Sequence, residues 1–326
     1  MRVLFDYNNL ACRCVHLQQI HNDDERSWSL MSYMIFNTMY EFLQDVAEFL
    51  DEGDKLDVIL ALDSKDGYWR KDLYPPYKAD RAKKRREDGV DWERAYAEFD
   101  KLIDVIGKYT PWKPIRVSKC EADDVIYALS RNTTAIIHSG DSDYLQLVSD
   151  SISLFQPHTG EYAEFPRVCK ISGGEAVCRT PEDYLNYAIL TGQGGKDNVY
   201  NVKTPTDWDV SKRKPGFGVK AADKILRKPL WQGELHRLGL WDNYMRNLQL
   251  ISLSCLPLEY LESIEESYKN APATSANLSG LLTVYDWPSL AARSDSMNAE
   301  LLLWAEGIER QVMDIDQQPN IFDFDI

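Results

Sequence analysis

Short apolar segments alternate with amphipathic segments over the first half of the chain. Residues 2–5 and 57–62 are apolar runs that each lead into an aspartate, and they predict buried β-strands. Residues 28–50 and 92–106 carry apolar side chains at helical spacing and predict amphipathic helices. Residues 65–88 include two prolines and most of the local basic charge. They follow neither the helical nor the strand periodicity of apolar side chains.

Further elements follow the same alternation as far as about residue 165. The pattern predicts strands over residues 115–117 and 134–138, a helix over 121–130 with Cys120 or Lys119 near its cap, a helix from near Asp143, and a hairpin over 152–165. Strand and helix alternation of this kind is typical of an α/β fold with a mostly parallel central sheet flanked by helices.

Helical patterns separated by glycine and proline turns replace the strands from Pro181 onward. We therefore expect an α/β catalytic domain over residues 1–185, a helical domain over residues 186–310, and a flexible acidic tail over residues 311–326.

The composition of the 326 residues is that of a folded protein, with 44% hydrophobic and 27% charged residues. No apolar run approaches the ~18 residues that a membrane span needs, and the first residues lack a signal-peptide pattern. The six cysteines form no CxxC pair, which argues against a zinc site or a disulfide framework. We expect a soluble, cytoplasmic protein without a membrane partner.

The net charge of −15 argues against a phosphate-rich partner, but the charges are segregated. Residues 65–86 and 203–228 form two basic islands, whereas the residues from 293 to the end are acidic. Local basic patches of this kind permit binding to a polyanion, and they are equally compatible with solvated surfaces.

Carboxylates follow the carboxyl ends of several predicted strands. The residues concerned are Asp6, Asp63, Glu121, Asp123, Asp124, Asp141 and Asp143. Ligands of open α/β sheets bind at this edge, and clustered carboxylates need compensating cations. Oxygen ligands without nearby histidine or cysteine favour Mg²⁺ or Mn²⁺. Any single aspartate here is also compatible with a helix cap or a turn.

Five sequence blocks occur in an order that resembles the 5′-nuclease (flap endonuclease) superfamily, and most of all its bacteriophage ribonuclease H members. The blocks are LFDYNN (4–9), LALDSKDGYWRKDLYPPYKADR (60–81), CEADDVI (120–126), SGDSDYLQL (139–147), and GQGGKDNV (192–199) followed by PGFGVKAADKIL (215–226). The resemblance extends over residues 1 to about 230.

This resemblance implies a magnesium-dependent phosphodiesterase that cuts DNA or RNA at a 5′ end or flap, as in the removal of lagging-strand primers. The expected substrates are branched or nicked DNA and RNA–DNA duplexes with a 5′ end. Two Mg²⁺ ions, for which Mn²⁺ substitutes, are implied. A single-stranded-DNA-binding protein is a further expected partner, and the chain is expected to be a monomer.

The resemblance also implies the metal ligands. Asp6, Asp63, Asp123 and Asp141 would hold a first ion, with Glu121 and Asp124 completing its shell, and Asp143 and Asp197 would surround a second ion. The pattern Gly-Asp-x-x-Asp-Asn of the family is incomplete here, because residues 192–198 read GQGGKDN. Either the loop has an extra residue or Gly194 occupies the aspartate position, and the second site is expected to be weaker.

A basic arch of the family matches residues 68–86. Arg70, Lys78 and Arg81 would be catalytic cations near the scissile phosphate, and Tyr77 would stack on an unpaired base. Lys83, Lys84, Arg85 and Arg86 would bind nucleic acid. The alternative interpretation of this segment is a solvated loop with a run of charges.

A glycine turn lies at the start of the last block, just before a helix that is expected to begin at Val219. The resemblance implies that Gly216, Gly218 and Lys220 belong to a helix–turn–helix element that holds duplex DNA, together with a monovalent cation. Backbone N–H groups at such a turn bind phosphate without reading sequence. The alternative is an ordinary connection between two helices.

The last residues offer two interpretations. Gln317, Ile321, Phe322 and Phe324 resemble the short peptides by which replication proteins bind a sliding clamp, and the segment is equally compatible with an ordinary acidic tail.

Two rival functions remain open at this stage. One is a PIN-like single-strand ribonuclease, which shares an acidic sheet edge. The other is a catalytically weak DNA-structure-binding protein of the same fold, which the incomplete aspartate pair supports.

Overall fold

A computed structural model describes residues 1–18, 25–206, 208 and 215–307, with side chains omitted for residues 82–84. The strands are β1 Arg2–Asp6, β2 Asp57–Leu62, β3 Lys113–Arg116, β4 Ala135–His138, β5 Ile152–Gln156, β6 Glu161–Tyr162, β7 Arg167–Ile171 and β8 Gly174–Cys178. The helices of the first half are α1 Tyr7–Gln18, α2 Glu25–Ala47, α3 Trp69–Leu73, α4 Arg81–Glu87, α5 Trp92–Tyr109 and α6 Ala122–Ser130. The later helices are α7 Pro181–Thr191, α8 Val219–Leu226, α9 Trp231–Arg237, α10 Trp241–Ile251, α11 Leu258–Lys269, α12 Leu278–Leu282, α13 Pro288–Ala291 and α14 Ser294–Glu306.

The central sheet has the strand order β3-β2-β1-β4-β5-β6. The first five strands in this order are parallel and β6 is antiparallel to β5. Leu4 in the middle of β1 pairs with Ile59 on one side and Ile137 on the other. The expected α/β fold with a mostly parallel sheet is therefore confirmed.

Helices cover both faces of the sheet, so the strands are apolar on both faces. Successive side chains of β1 point to opposite faces: Leu4 lies in one apolar cluster, and Val3 and Phe5 lie in the other. The first cluster includes α6, α7 and α10. The second cluster includes α1, α2, α5 and α14.

Most predicted elements are present, and the exceptions lie in polar segments. The aperiodic stretch 65–88 contains the short helices α3 and α4. The N-cap residue of α6 is Glu121, directly after Cys120, and its backbone N–H donates to the Asp124 side chain at 2.9 Å. The segment after Asp141 is a 3₁₀ turn, Ser142–Leu147, and the β7–β8 hairpin has no counterpart among the predicted elements.

Helices beyond residue 186 pack against both sides of the sheet. Helix α11 contacts α6 and β3, and α12 contacts α5 and α14. The division into two domains near residue 185 stays a prediction, as does the helix–turn–helix character of α8 and α9. None of the described helices is both long and apolar enough to cross a membrane.

Gly192 ends α7 and starts the loop that carries Asp197. Its φ of 69° and ψ of −179° lie in a region that is open essentially to glycine alone. A Cβ atom at this position would lie 2.4 Å from the carbonyl oxygen of Val199 and 2.5 Å from the carbonyl carbon of Tyr200. The tight packing of the loop on its own return segment therefore requires glycine.

We predict that Gly192→Ala lowers the free energy of unfolding by about 1–3 kcal/mol, because the new Cβ overlaps backbone atoms in a strained conformation. Urea denaturation measures the change. Gly195→Ala in the same loop is the control, since a Cβ there would meet nothing within 4 Å. Equal effects of the two substitutions would contradict this account of Gly192.

Candidate active site

The carboxyl ends of the central parallel strands bring four aspartates to one cavity. Asp6 ends β1, Asp63 follows β2, and Asp141 follows β4, so the strand order places them side by side. Asp123 joins them from the first turn of α6. The cavity has a volume of about 250 Å³, and all four line it.

Neutral donors hold Asp6 and Asp123. The Ser139 hydroxyl donates to Asp6 at 2.9 Å, and the Tyr144 hydroxyl lies 2.7 Å from Asp123 and 3.3 Å from Asp6. Burial raises the pKa of Asp6 to about 7, and the nearby carboxylates of Asp141 and Asp63 add to this rise. Burial also raises the pKa of Asp123 well above its ordinary value, although Lys78 opposes the rise. Both groups are therefore carboxylates that a bound cation would stabilise.

Asp63 has a different set of neutral partners. Its two oxygens accept from the Asn8 side-chain amide at 2.7 Å and from the backbone N–H of Ala122 at 3.0 Å. These contacts fix the orientation of the carboxylate relative to the start of α6. Asn8 lies in the first sequence block but has no role among the predictions.

Arg70 is buried between two carboxylates, away from the cavity. It is 1% exposed, with Nη1 2.9 Å from Glu121 Oε2 and Nη2 2.8 Å from Asp124 Oδ1. The Asp124 carboxylate also accepts from Trp69 Nε1 at 3.1 Å. Arg70 and Asp124 therefore neutralise each other inside the core, and the catalytic role of Arg70 and the metal-shell role of Asp124 stay predictions.

Tyr77 and Lys78 complete this buried network around Glu121. The Tyr77 hydroxyl donates to Glu121 at 3.0 Å, and the Lys78 ammonium donates to its other oxygen. Burial opposes ionisation of Glu121, but Lys78 and Arg70 outweigh it and bring its pKa to about 2. Tyr77 is 3% exposed, and its stacking on an unpaired base stays a prediction. Lys78 also lines the cavity.

Side chains of the loop after α7 and of α4 contact the carboxylates assigned to a second metal, and one of them, Lys196, also contacts Asp141, which was assigned to the first. Lys196 Nζ lies 2.6 Å from both Asp141 oxygens and 2.6 Å from Asp143 Oδ2. Gln193 Nε2 donates to the other oxygen of Asp143 at 2.6 Å. Arg81 Nη2 lies 2.8 Å from Asp197 Oδ1.

These contacts settle which loop residue faces Asp143. It is Gln193, whose side-chain amide donates to Asp143; the two alternatives for this loop, an extra residue or Gly194 at the aspartate position, stay open. Burial acts to raise the pKa of Asp141, but the Lys196 ammonium outweighs it and lowers the pKa below its ordinary value. Gln193 and Lys196 both lie within the block GQGGKDNV, where a lysine directly before Asp197 was the signal that could have found this contact.

The remaining predicted residues lie at the rim of the site or outside it. Arg85 lines the cavity and packs over the rings of Trp92 and Tyr96 at 5.5 and 5.2 Å. Arg86 is exposed at the end of α4, and the Lys83 and Lys84 side chains lie outside the described residues. Gln317, Ile321, Phe322 and Phe324 also lie outside the described residues.

The glycine turn lies before α8 and away from the cavity. Gly218 is the N-cap residue of α8, and Gly216 and Lys220 are exposed on either side of it. A Cβ at Gly218 would lie 3.2 Å from the Gly173 carbonyl, so the turn packs closely on the β7–β8 hairpin.

The donor chemistry of the cavity fits a hard divalent cation. The four aspartates that line it supply only oxygen ligands. Within the described residues, no three histidine, cysteine or acidic side chains already converge as a preformed metal site. A cation would therefore bind through water or after the carboxylates rotate into the cavity.

We predict that Arg70→Ala lowers the free energy of unfolding by about 3–5 kcal/mol, because it leaves two buried carboxylates without their partner. Urea denaturation measures this loss. Lys71→Ala, one residue further along α3, is the control and should change stability far less. A stable Arg70→Ala protein that has lost only activity would contradict the structural role.

Comparisons with known proteins agree with this geometry. The family model "5′-3′ exonuclease, N-terminal resolvase-like domain" matches residues 2–171. Ribonuclease H of Enterobacteria phage T4 is 26% identical over 278 residues, which cover 82% of this chain and 86% of that protein. The thermostable DNA polymerase I of Thermus thermophilus is 26% identical over 222 residues, which are 65% of this chain but only 22% of the polymerase.

Solved structures show the same fold. The flap endonuclease of bacteriophage T5, crystallised with DNA and metal ions, has a TM-score of 0.56 and 15% identity over 82% of this chain and 99% of its own. The T5 5′-exonuclease with bound zinc has a TM-score of 0.55 and 15% identity over 83% of this chain and 99% of its own. The match of the family model to more than half of the residues shows that the chain belongs to the 5′-3′ exonuclease family of nucleases.

Proposed function

We propose that this chain is a magnesium-dependent 5′-nuclease that hydrolyses phosphodiesters at 5′ ends or flaps of DNA and RNA–DNA duplexes. The observation that carries the proposal is the composition of the cavity. Asp6, Asp63, Asp123 and Asp141 line it, and the cationic side chains of Lys78, Arg81, Arg85 and Lys196 line it as well. Acidic side chains that can bind a metal ion and basic side chains that can bind a phosphate thus line the same cavity.

The four aspartates are the proposed ligands of Mg²⁺. When bound, such an ion acts as a Lewis acid and lowers the pKa of a coordinated water. The protein contributes orientation: Asn8 fixes Asp63, Ser139 fixes Asp6, and Tyr144 connects Asp6 to Asp123. Because these donors are neutral, they leave the negative charge of the cluster available to the cation.

Lys78 and Arg81 are the proposed cations for the scissile phosphate. Preorganised cations at a site of developing negative charge stabilise the transition state. Lys78 is held by Glu121 and Arg81 by Asp197, so both are oriented before substrate binds. The Arg81 side chain is 32% exposed, which leaves one side of its guanidinium accessible to a ligand.

The names of the relatives support the substrate class. The T4 relative is a ribonuclease H, and the T5 flap endonuclease has been crystallised with DNA. Removal of RNA primers at lagging-strand fragments is the proposed role. The proposed partners, a single-stranded-DNA-binding protein and a sliding clamp that contacts the tail from residue 317, stay predictions.

A cleavage assay with a labelled 5′-flap duplex tests the function. We predict that the protein cuts near the flap junction with Mg²⁺ and is inactive without it. Asp6→Asn should abolish turnover at any magnesium concentration, because the substitution removes a charged ligand from the cavity. An RNA–DNA duplex with a 5′ end, measured in parallel, gives the preference between RNA and DNA.

Asp51→Asn is the charge-matched control, since Asp51 is exposed near the amino end of β2. It should retain the wild-type rate. Binding of the flap duplex without cleavage at any magnesium or manganese concentration would favour the DNA-structure-binding alternative.

The start of α8 is the proposed contact for the duplex. Gly216 and Gly218 leave backbone N–H groups accessible before the helix, and Lys220 adds an exposed cation in its first turn. Such contacts bind phosphate oxygens irrespective of base sequence. A monovalent cation at this turn is part of the same proposal.

We predict that Lys220→Ala weakens duplex binding about equally for all sequences and lowers the slope of log K against log salt by about 1. Fluorescence anisotropy over a salt series, with Ca²⁺ in place of Mg²⁺, measures both quantities. Lys269→Ala at the end of α11 is the control and should leave the slope unchanged. A loss that depends on base sequence would contradict this assignment.

A further inference from the structure

The carboxylates of the cavity and its rim divide into two sets by the charge of their partners. Asp6, Asp63 and Asp123 accept hydrogen bonds from neutral groups, and among the described residues none of them is in an ion pair. Asp141, Asp143 and Asp197, by contrast, each contact a cation of the chain, Lys196 for the first two and Arg81 for the third. Both residues assigned to the second metal site are thus neutralised by the chain, whereas of the four aspartates assigned to the first site only Asp141 is.

Lys196 is placed as a cation shared by two carboxylates. Its Nζ is 2.6 Å from both oxygens of Asp141 and 2.6 Å from Asp143 Oδ2. Its side chain is 36% exposed and lines the same cavity as Asp6 and Asp63. The ammonium therefore lies at the mouth of the cavity, where a phosphate would enter.

Both oxygens of Asp143 are already engaged by side chains of the protein. Its Oδ1 accepts from Gln193 Nε2 at 2.6 Å and from the Tyr184 hydroxyl at 3.2 Å, while Oδ2 is taken by Lys196. A tethered cation has a high effective concentration at these oxygens, so a free ion must displace it to coordinate them.

We propose that this protein binds a single divalent ion, and that the Lys196 ammonium, supported by Gln193, replaces the second. The role of Lys196 in catalysis rests on the proposed nuclease function. The replacement of the second ion by the Lys196 ammonium concerns only the chain and the metal, and it can be tested without a substrate. An ammonium supplies positive charge and hydrogen bonds to a phosphate. It does not supply a coordinated water, so water activation falls to the first site alone.

Mn²⁺ binding without DNA tests the proposal independently of cleavage. The free Mn²⁺ signal in electron paramagnetic resonance gives the number of ions bound per chain. We expect one ion for the wild type and two for Lys196→Met, which keeps the stem of the side chain and removes its charge. Lys196→Gln is a second neutral variant, and Lys55→Met, at the amino end of β2, is the control that should still bind one ion.

The magnesium dependence of single-turnover cleavage is the second readout. The rate should rise hyperbolically with Mg²⁺ for the wild type and more steeply for Lys196→Met, as expected when a second ion is added. Two bound ions in the wild type, or one ion in both neutral variants, would overturn the proposal. One bound ion without any cleavage would instead contradict only the nuclease function, and no bound ion would contradict both.

Discussion

The concentration of acidic side chains at one edge of the sheet is the constraint on which the rest of this site depends. The parallel strand order brings the residues after β1, β2 and β4 together, and α6 adds three more acids at its start. Carboxylates this close repel one another and lose solvation, so each must be neutralised, hydrogen-bonded or protonated. The structure uses a different solution for each part of the cluster.

The innermost part is neutralised permanently. Glu121 and Asp124 share Arg70, and Lys78 and Tyr77 complete the contacts of Glu121. All members of this network are buried. Removing one of them would leave an uncompensated charge in the core. The network therefore holds the start of α6 and the segment that follows β2 in a fixed position relative to each other. This arrangement positions Asp123 at the cavity.

Two loops that are far apart in the sequence close the other side of the cavity. The backbone N–H of Lys78 donates to the Asp197 carbonyl at 2.9 Å, and the Asn198 amide donates to the Pro76 carbonyl at 3.1 Å. Lys78 and Asn198 both have positive φ, so each loop adopts an uncommon conformation at the contact. The same two loops carry Arg81 and Lys196, which contact Asp197 in one case and Asp141 and Asp143 in the other. The cations of the site are thus fixed before any substrate is present.

The sequence alone determined the strands of the central sheet, the long helices, the family and the acidic edge. These depend on local periodicity and on motifs such as GDSD and CEADD, which lie directly beside apolar strands and need no tertiary information. The short helices in residues 65–88 could not be predicted, because tertiary contacts rather than an apolar stripe hold them.

Only the tertiary structure decided which charged side chains pair with one another. Arg70 and Tyr77 share a basic, aromatic segment with Arg81, yet burial turns the first two into core residues and leaves the third at the cavity. Likewise Lys196 reaches Asp141 across 55 residues of sequence, a pairing that depends on how the loop after α7 folds back onto the sheet.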